Sequence, residues 1–254
     1  MNMDALDISI LGPGFLAGLL VLATHVPLGR QVLKRGIIFI DLAVAQMAGL
    51  GVVAASVLGW DTHGIAAQIA AVSAALIGSA LLTWTEKRCG DVQEAIIGGL
   101  FVLAASGGIL LLANHPRGGE ELKDLLVGQI LWADWHTLGP AAIVSVAVLL
   151  AWYTIREKLG RAGFYMLFAI SVTVSVQLVG IYLVFASLIL PALATRNLGR
   201  RAGLTQAYAL GVLAYFSGLV LSALLDLPSG PVIVWMLAGL ALALSFRHSK
   251  PSSG

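Results

Sequence analysis

FYMLFAISVTVSVQLVGIYLVFASLILPALAT, residues 164–195, is a run of 32 residues without a charged side chain. A helix needs about 20 apolar residues to span the hydrocarbon core of a bilayer. The run is therefore too long for one straight crossing and short for two, and its reading fixes the topology. Apolar runs at 8–28, 36–58, 63–85, 93–113 and 134–155 precede it, and runs at 203–225 and 230–246 follow it. Each of those has the length of one crossing.

The ambiguous run is decided by the tendency of Lys and Arg to stay on the cytoplasmic side. Two crossings between 164 and 195 place thirteen of the fifteen basic residues on one side, leaving only Arg117 and Lys123 opposite, whereas a single crossing reduces the bias to eight against seven. A broken hairpin is expected, with the break at the helix-weakening Gly180 and a distortion at Pro191 near the cytoplasmic end. Non-helical backbone at membrane depth needs cover from protein or a water-filled cavity. The segment 164–195 is thus either a pathway lining or a packing kink.

The chain reads as an all-α polytopic membrane protein of about eight to nine transmembrane helices, its N-terminus outside and its C-terminus cytoplasmic. Residues 1–254 form one transmembrane domain with a short tail at 247–254. Composition agrees: 59% of the residues are hydrophobic, 11% are charged, and the mean hydropathy is +0.93. The basic residues form short clusters between apolar runs and no stripe, so nucleic acid is not an expected partner and membrane lipid is. The outer face collects Asp4, Asp7, Asp61, Glu120, Glu121, Asp124, Asp134 and Asp226. Such a face attracts cations, although the same acids follow simply from sorting Lys and Arg to the other side.

Enzymatic signatures are missing. The chain has no phosphate-binding G-x-x-x-x-G-K-[ST] loop, no H-E-x-x-H and no G-x-S-x-G. With Cys89 as its one cysteine it can build no multi-cysteine metal site, and its histidines, His25, His63, His115, His136 and His248, show no i,i+3 or i,i+4 pair. ATP chemistry is expected on a separate subunit, no permanently bound cofactor is expected, and the chain is not read as an enzyme.

Asp41 is a lone acid well inside the apolar run GIIFIDLAVAQMAGLGVVAASVL (36–58). A carboxylate in such a segment is costly and marks a functional site by default. Six residues beyond Arg35, at about 1.5 Å rise per residue, it lies only about 9 Å along a helix and so still near water.

Four blocks resemble the metal-ion permeases of ABC importers, the membrane subunits for zinc, manganese or iron(II) uptake. They are PLGRQVLKRGIIFIDLAVAQMAGLG (27–51), QEAIIGGLFVLAASGGILLL (93–112), ELKDLLVGQILWADWHTLGP (121–140) and VQLVGIYLVFASLILPALAT (176–195). The last is similar to the family stretch Val-Gly-x-x-Leu-Val-x-x-Leu-Ile-x-Pro-Ala. The resemblance implies an architecture like the vitamin B12 importer permease and a bacterial inner-membrane homodimer. It also implies cytoplasmic ABC ATPase subunits and a periplasmic or lipid-anchored metal-binding protein. The cargo implied is a divalent transition metal, zinc first and manganese or iron next, moved by alternating access.

The family pattern Gly-Asp-x-x-x-His falls on Ile40, Asp41 and Ala45, so the acid is present and the imidazole is not. Gln46, one residue further, is the substitute ligand to consider, although five residues amount to about 140° around a helix. Carboxylate plus amide is a harder oxygen site than carboxylate plus imidazole. The resemblance puts the ATPase-coupling element at 156–163, with Arg156, Glu157, Lys158 and Arg161 as its polar surface; an ordinary basic loop is the alternative. It also suggests docking of the binding protein on the outer loop, through His115, Glu120, Glu121 and Trp132. Glu94 is expected to cap its own helix. A secondary ion-coupled transporter, or an ABC permease for another small ligand, are the other functions considered.

Overall fold

The computed structural model describes residues 8–62, 64–115, 118–128 and 130–248. Helices α1 (Ile8–Arg35), α2 (Ile40–Val57), α3 (Ile65–Arg88) and α4 (Gln93–Leu112) come first. The short α5 (Gly118–Val127) follows, then the long α6 (Trp135–Val179), α7 (Ile181–Ala194), α8 (Arg200–Leu225) and α9 (Ser229–His248). Among the described residues there is no strand, and eight helical segments are long and apolar enough to cross a membrane. The two halves of α6 supply two of the eight, because Gly160 has non-helical backbone (φ 60°, ψ −149°) and bends the helix.

Contacts at the helix ends sort the bundle into two faces. At the basic end, Arg30 Nη2 donates to Leu198 O at 3.1 Å, and the Arg35 guanidinium sits 4.2 Å from the Phe164 ring centre. At the acidic end, Ser56 Oγ donates to Glu121 Oε2 at 3.0 Å, and the backbone of Gly180 lies against that of Val127 and Gly128. The second half of α6 therefore rises from Phe164 at the basic end to Gly180 at the acidic end, and α7 returns. This is the hairpin expected at 164–195. With 14 residues, α7 is about 21 Å long at 1.5 Å per residue, shorter than a hydrocarbon core. It is tolerated because protein surrounds it: ten of its residues are buried, chiefly against α1 and α9.

The turn between α6 and α7 depends on two glycines. Gly180 (φ 81°, ψ 163°) occupies backbone space open only to glycine, and Gly128 has φ 71°. A Cβ on Gly128 would strike Val179 and Gly180, and one on Gly180 would strike Val127 and Gly128. Two backbones thus cross in direct contact. Pro191 does not end α7, which continues to Ala194; the Thr195 hydroxyl donates to Pro191 O at 2.8 Å.

Helix α1 continues past the first apolar run through the basic residues to Arg35, held helical because Leu28 and Val32 are fully buried. Pro27 deprives the Ala23 carbonyl of its helical donor, and Tyr208 Oη of α8 donates to it instead at 3.1 Å. Residues 156–163 are likewise helical apart from Gly160. At the other end of α6, Asp134 forms a capping box, accepting from Thr137 N at 2.8 Å while Thr137 Oγ1 accepts from Asp134 N at 3.1 Å. These bonds favour its carboxylate and hold its pKa below the usual value.

Within the bundle, α2 packs on α3 and α4, while α1 packs on α6, α7 and α8. Helix α6 also packs on α3 and so joins the two groups. Residues 1–7 and 249–254, with Asp4, Asp7, Lys250 and most of the expected tail, lie outside the described residues, as do His63 and Arg117.

Gly180→Ala should cost at least about 1–3 kcal/mol from backbone strain, plus the overlap with Gly128. Gly160→Ala carries only strain, since nothing lies within 4 Å of its Cβ position. Thermal unfolding of the purified protein should therefore rank wild type above Gly160→Ala above Gly180→Ala.

Candidate functional site

Gly36, in a positive-φ conformation (φ 72°), turns the chain from α1 into α2. Phe39 then caps α2, and Asp41 stands in its first turn. Asp41 is fully buried, and neither carboxylate oxygen has a hydrogen-bond partner. Leaving a buried carboxylate uncompensated is among the costliest arrangements in a protein interior. A proton or a cation would relieve that cost.

The residues beside it are held by the packing around the head of α2. Glu94 Oε1 accepts from Phe39 N at 3.1 Å, so this carboxylate caps α2 and not the helix that carries it, as the sequence had suggested. The packing of α4 on α2 brings Glu94 within hydrogen-bond reach of the Phe39 N–H. The Phe39 ring stacks on Phe185 of α7, centres 6.5 Å apart. Gln93, also buried, accepts from Thr85 Oγ1 and donates to Leu82 O, both at 3.0 Å, tying α4 to α3.

Ala45 and Gln46 are both buried. Helix α2 is uninterrupted through both, so Ala45 stacks one turn above Asp41 and Gln46 points about 140° away. Among the described residues, no group of three or more His, Cys, Asp and Glu side chains is placed to hold a metal ion. The arrangement suits a transient stop for a cation and not a closed structural site, which needs about four ligands.

The other sequence-derived candidates are spread along the bundle. Lys158 and Arg161 are exposed and flank Gly160; Arg156 and Glu157 are in the helix, with side chains outside the described residues. Phe164, three residues past Arg161, lies under Arg35 and joins Trp152, Tyr165 and Phe168 in one aromatic cluster. At the acidic end, His115 Nδ1 is 3.2 Å from Glu121 Oε1, whose other oxygen accepts from Ser56. Glu121 thereby fastens α5 to α2, whereas Glu120 and Trp132 are exposed. His25 of α1 is fully buried. Its Nδ1 lies 3.0 Å from both Thr24 Oγ1 and Val21 O, and its Nε2 has no partner. The sequence signal was available, because His25 is an ionisable residue within a span.

Comparison with known proteins adds four findings. The family model described as ABC 3 transport family matches residues 7–164 and 151–248. The manganese transport system membrane protein MntC of Halalkalibacterium halodurans is 26% identical over 89% of this chain and 82% of its own. The high-affinity zinc uptake system membrane protein ZnuB of Haemophilus influenzae is 23% identical, over 95% of this chain and 98% of its own. Among solved structures, PsaBC from Streptococcus pneumoniae in complex with Fab shares the fold, with a TM-score of 0.76 at 20% identity over 96% of this chain and 95% of that one.

The geometry at the head of α2 makes its own prediction. Glu94→Ala should lower stability by on the order of 1 kcal/mol through loss of the bond to Phe39 N, while Glu94→Gln, which keeps an acceptor, should lose less. Thermal unfolding of the three proteins in one detergent checks this.

Proposed function

The chain belongs to the ABC 3 transport family, and from that premise we propose that it is the membrane permease subunit of an ATP-driven importer for a divalent transition-metal cation. The observation that carries the reading is the bare Asp41 carboxylate, fully buried and without a hydrogen-bond donor. A cation delivered to the acidic face would pause at Asp41 and leave toward the basic face. One carboxylate holds a divalent ion weakly, as release requires.

Zinc is the first cargo to test. The absence of an imidazole one turn above Asp41, where Ala45 stands, is a specific reason to test manganese alongside it, since oxygen donors discriminate less in favour of zinc. Gln46 contributes only if α2 rewinds in another state.

The working unit in this reading is a homodimer with two cytoplasmic ABC ATPase subunits and an extracytoplasmic binding protein, in a bacterial inner membrane. The basic end faces the cytoplasm, so the N-terminus is outside and the C-terminus inside. ATP is hydrolysed on the partner subunit. Its movement reaches the permease at Lys158 and Arg161 beside the Gly160 bend. From there Phe164 presses on Arg35, which lies six residues before Asp41, so the bend and the cation stop move together. Binding and hydrolysis of ATP bias this pair of states, which is alternating access. The binding protein docks on the acidic end over Glu120 and Trp132.

Uptake of radiolabelled zinc, manganese and iron(II) should be measured in vesicles holding the permease with its ATPase and binding protein. Asp41→Ala and Asp41→Asn are expected to abolish uptake of the transported metal with assembly unchanged; uptake indifferent to both would move the cation path elsewhere. In the same vesicles, Lys158→Glu with Arg161→Glu should lower uptake several-fold while the permease stays folded, and loss of ATPase co-purification would locate the defect.

A further inference from the structure

A cavity of about 570 Å³ opens at the basic end, away from Asp41. That volume is in the range of small-molecule sites. Four cations line it: Arg30 and Lys34 from α1, Arg196 from the α7–α8 link, and Arg200 at the start of α8. Trp152 and Tyr153 of α6 line the other side, and no acidic residue contributes. Unlike charges normally intersperse on a protein surface, so four cations around one concavity without a counter-charge call for an anion.

The hydrogen-bond inventory points the same way. None of the four makes an ion pair among the described residues. Arg30 donates from Nη2 to Leu198 O and its Nη1 is buried against Gly203, so the residue contributes a fixed positive charge to the cavity wall. Helix α8 begins at the same rim, and its N-cap, Gly199, supplies no side-chain bond to the free N–H groups of the first turn. Helix N-termini of this kind bind phosphate.

The depth of the cavity identifies the source of the anion. Arg30 lies five residues before the end of α1, and Trp152 lies eight residues before the Gly160 bend, so both are near the end of a membrane-crossing helix. Tyr153, exposed at that level, suits the interfacial belt, where lipid phosphates lie, while Trp152 is buried against Phe164. Basic pockets between helix ends on the cytoplasmic side are suited to anionic headgroups. The apolar wall, with Leu33 and Leu204, offers contact to a glycerol and upper acyl chain.

We propose that this cavity binds the phosphodiester headgroup of an anionic phospholipid from the surrounding leaflet. The headgroup bridges α1, α8 and the α6 residues next to the Gly160 bend, so lipid occupancy restrains the movement of α6 against α1. The site is separate from the cation stop at Asp41 and is tested by binding.

The full-length protein is purified, and retained lipid is counted by native mass spectrometry after exposure to phosphatidylglycerol or phosphatidylcholine, with inorganic phosphate as competitor. Phosphatidylglycerol should be retained in preference, and Arg196→Gln with Arg200→Gln should weaken it about thirtyfold. Both side chains are exposed, so the fold should tolerate the change. Arg201→Gln, the same charge change at an exposed residue outside the lining, should have little effect. Equal retention of the two lipids, or an equal loss in Arg201→Gln, would overturn the proposal in favour of general surface attraction. Full displacement by inorganic phosphate at low millimolar concentration would assign the site to a soluble anion instead. Unchanged lipid retention together with lost ATPase co-purification in the double variant would make it a protein contact and equally overturn the lipid reading.

Discussion

Backbone polar groups inside a membrane must find partners within the protein, and the crossing of Gly128 over Gly180 is where this fold meets that demand. The helical ladder stops at Gly180 and restarts at Ile181. Such a break is affordable only because Val127 and Gly128 lie directly on it and α7 is enclosed by α1, α8 and α9. Everything below depends on that turn. It lets α7 descend at only 14 residues, sets the α7–α8 link at the basic end, and brings Phe185 against the head of α2.

The same economy of contacts organises the basic end. Arg35 on Phe164 joins α1 to α6, Phe39 on Phe185 joins α2 to α7, and Glu94 at Phe39 N joins α4 to α2. They add specific side-chain contacts at the helix ends to the packing of α1 on α6 and of α2 on α4 along the helices. The Gly160 bend, exposed and free of neighbours around its Cβ position, is the compliant point among them.

Much of this was legible in the sequence because bilayer length and the sorting of basic residues act on composition alone. Charge counting divides 164–195 into two passes and the helix-weakening glycine places the break, and the structure has α6 end at Val179 and the shorter α7 begin at Ile181. The basic end of α1 reads as a linker between apolar runs, since clustered charge marks the membrane surface equally well when a helix carries its cations past it. Glu94 was assigned to its own helix because sequence spacing registers only neighbours along the chain. His25 and Arg30 show the same gap: that each has a buried nitrogen without a partner depends on helices more than 160 residues away or on a crowded interior, and no local pattern encodes it.

The sequence by itself determined the class of protein, the alternation of its crossings, the family resemblance and the presence of one acid, Asp41, in an apolar segment. These follow from hydrophobicity, charge and motif order, which are properties of the chain before it folds. Tertiary structure alone decided that Asp41 is enclosed without a donor, that Ala45 and not Gln46 shares its face, and that four cations from three separate segments surround one cavity. Such facts depend on which helices pack together and at what depth, and packing is a relation between distant residues that linear spacing does not record.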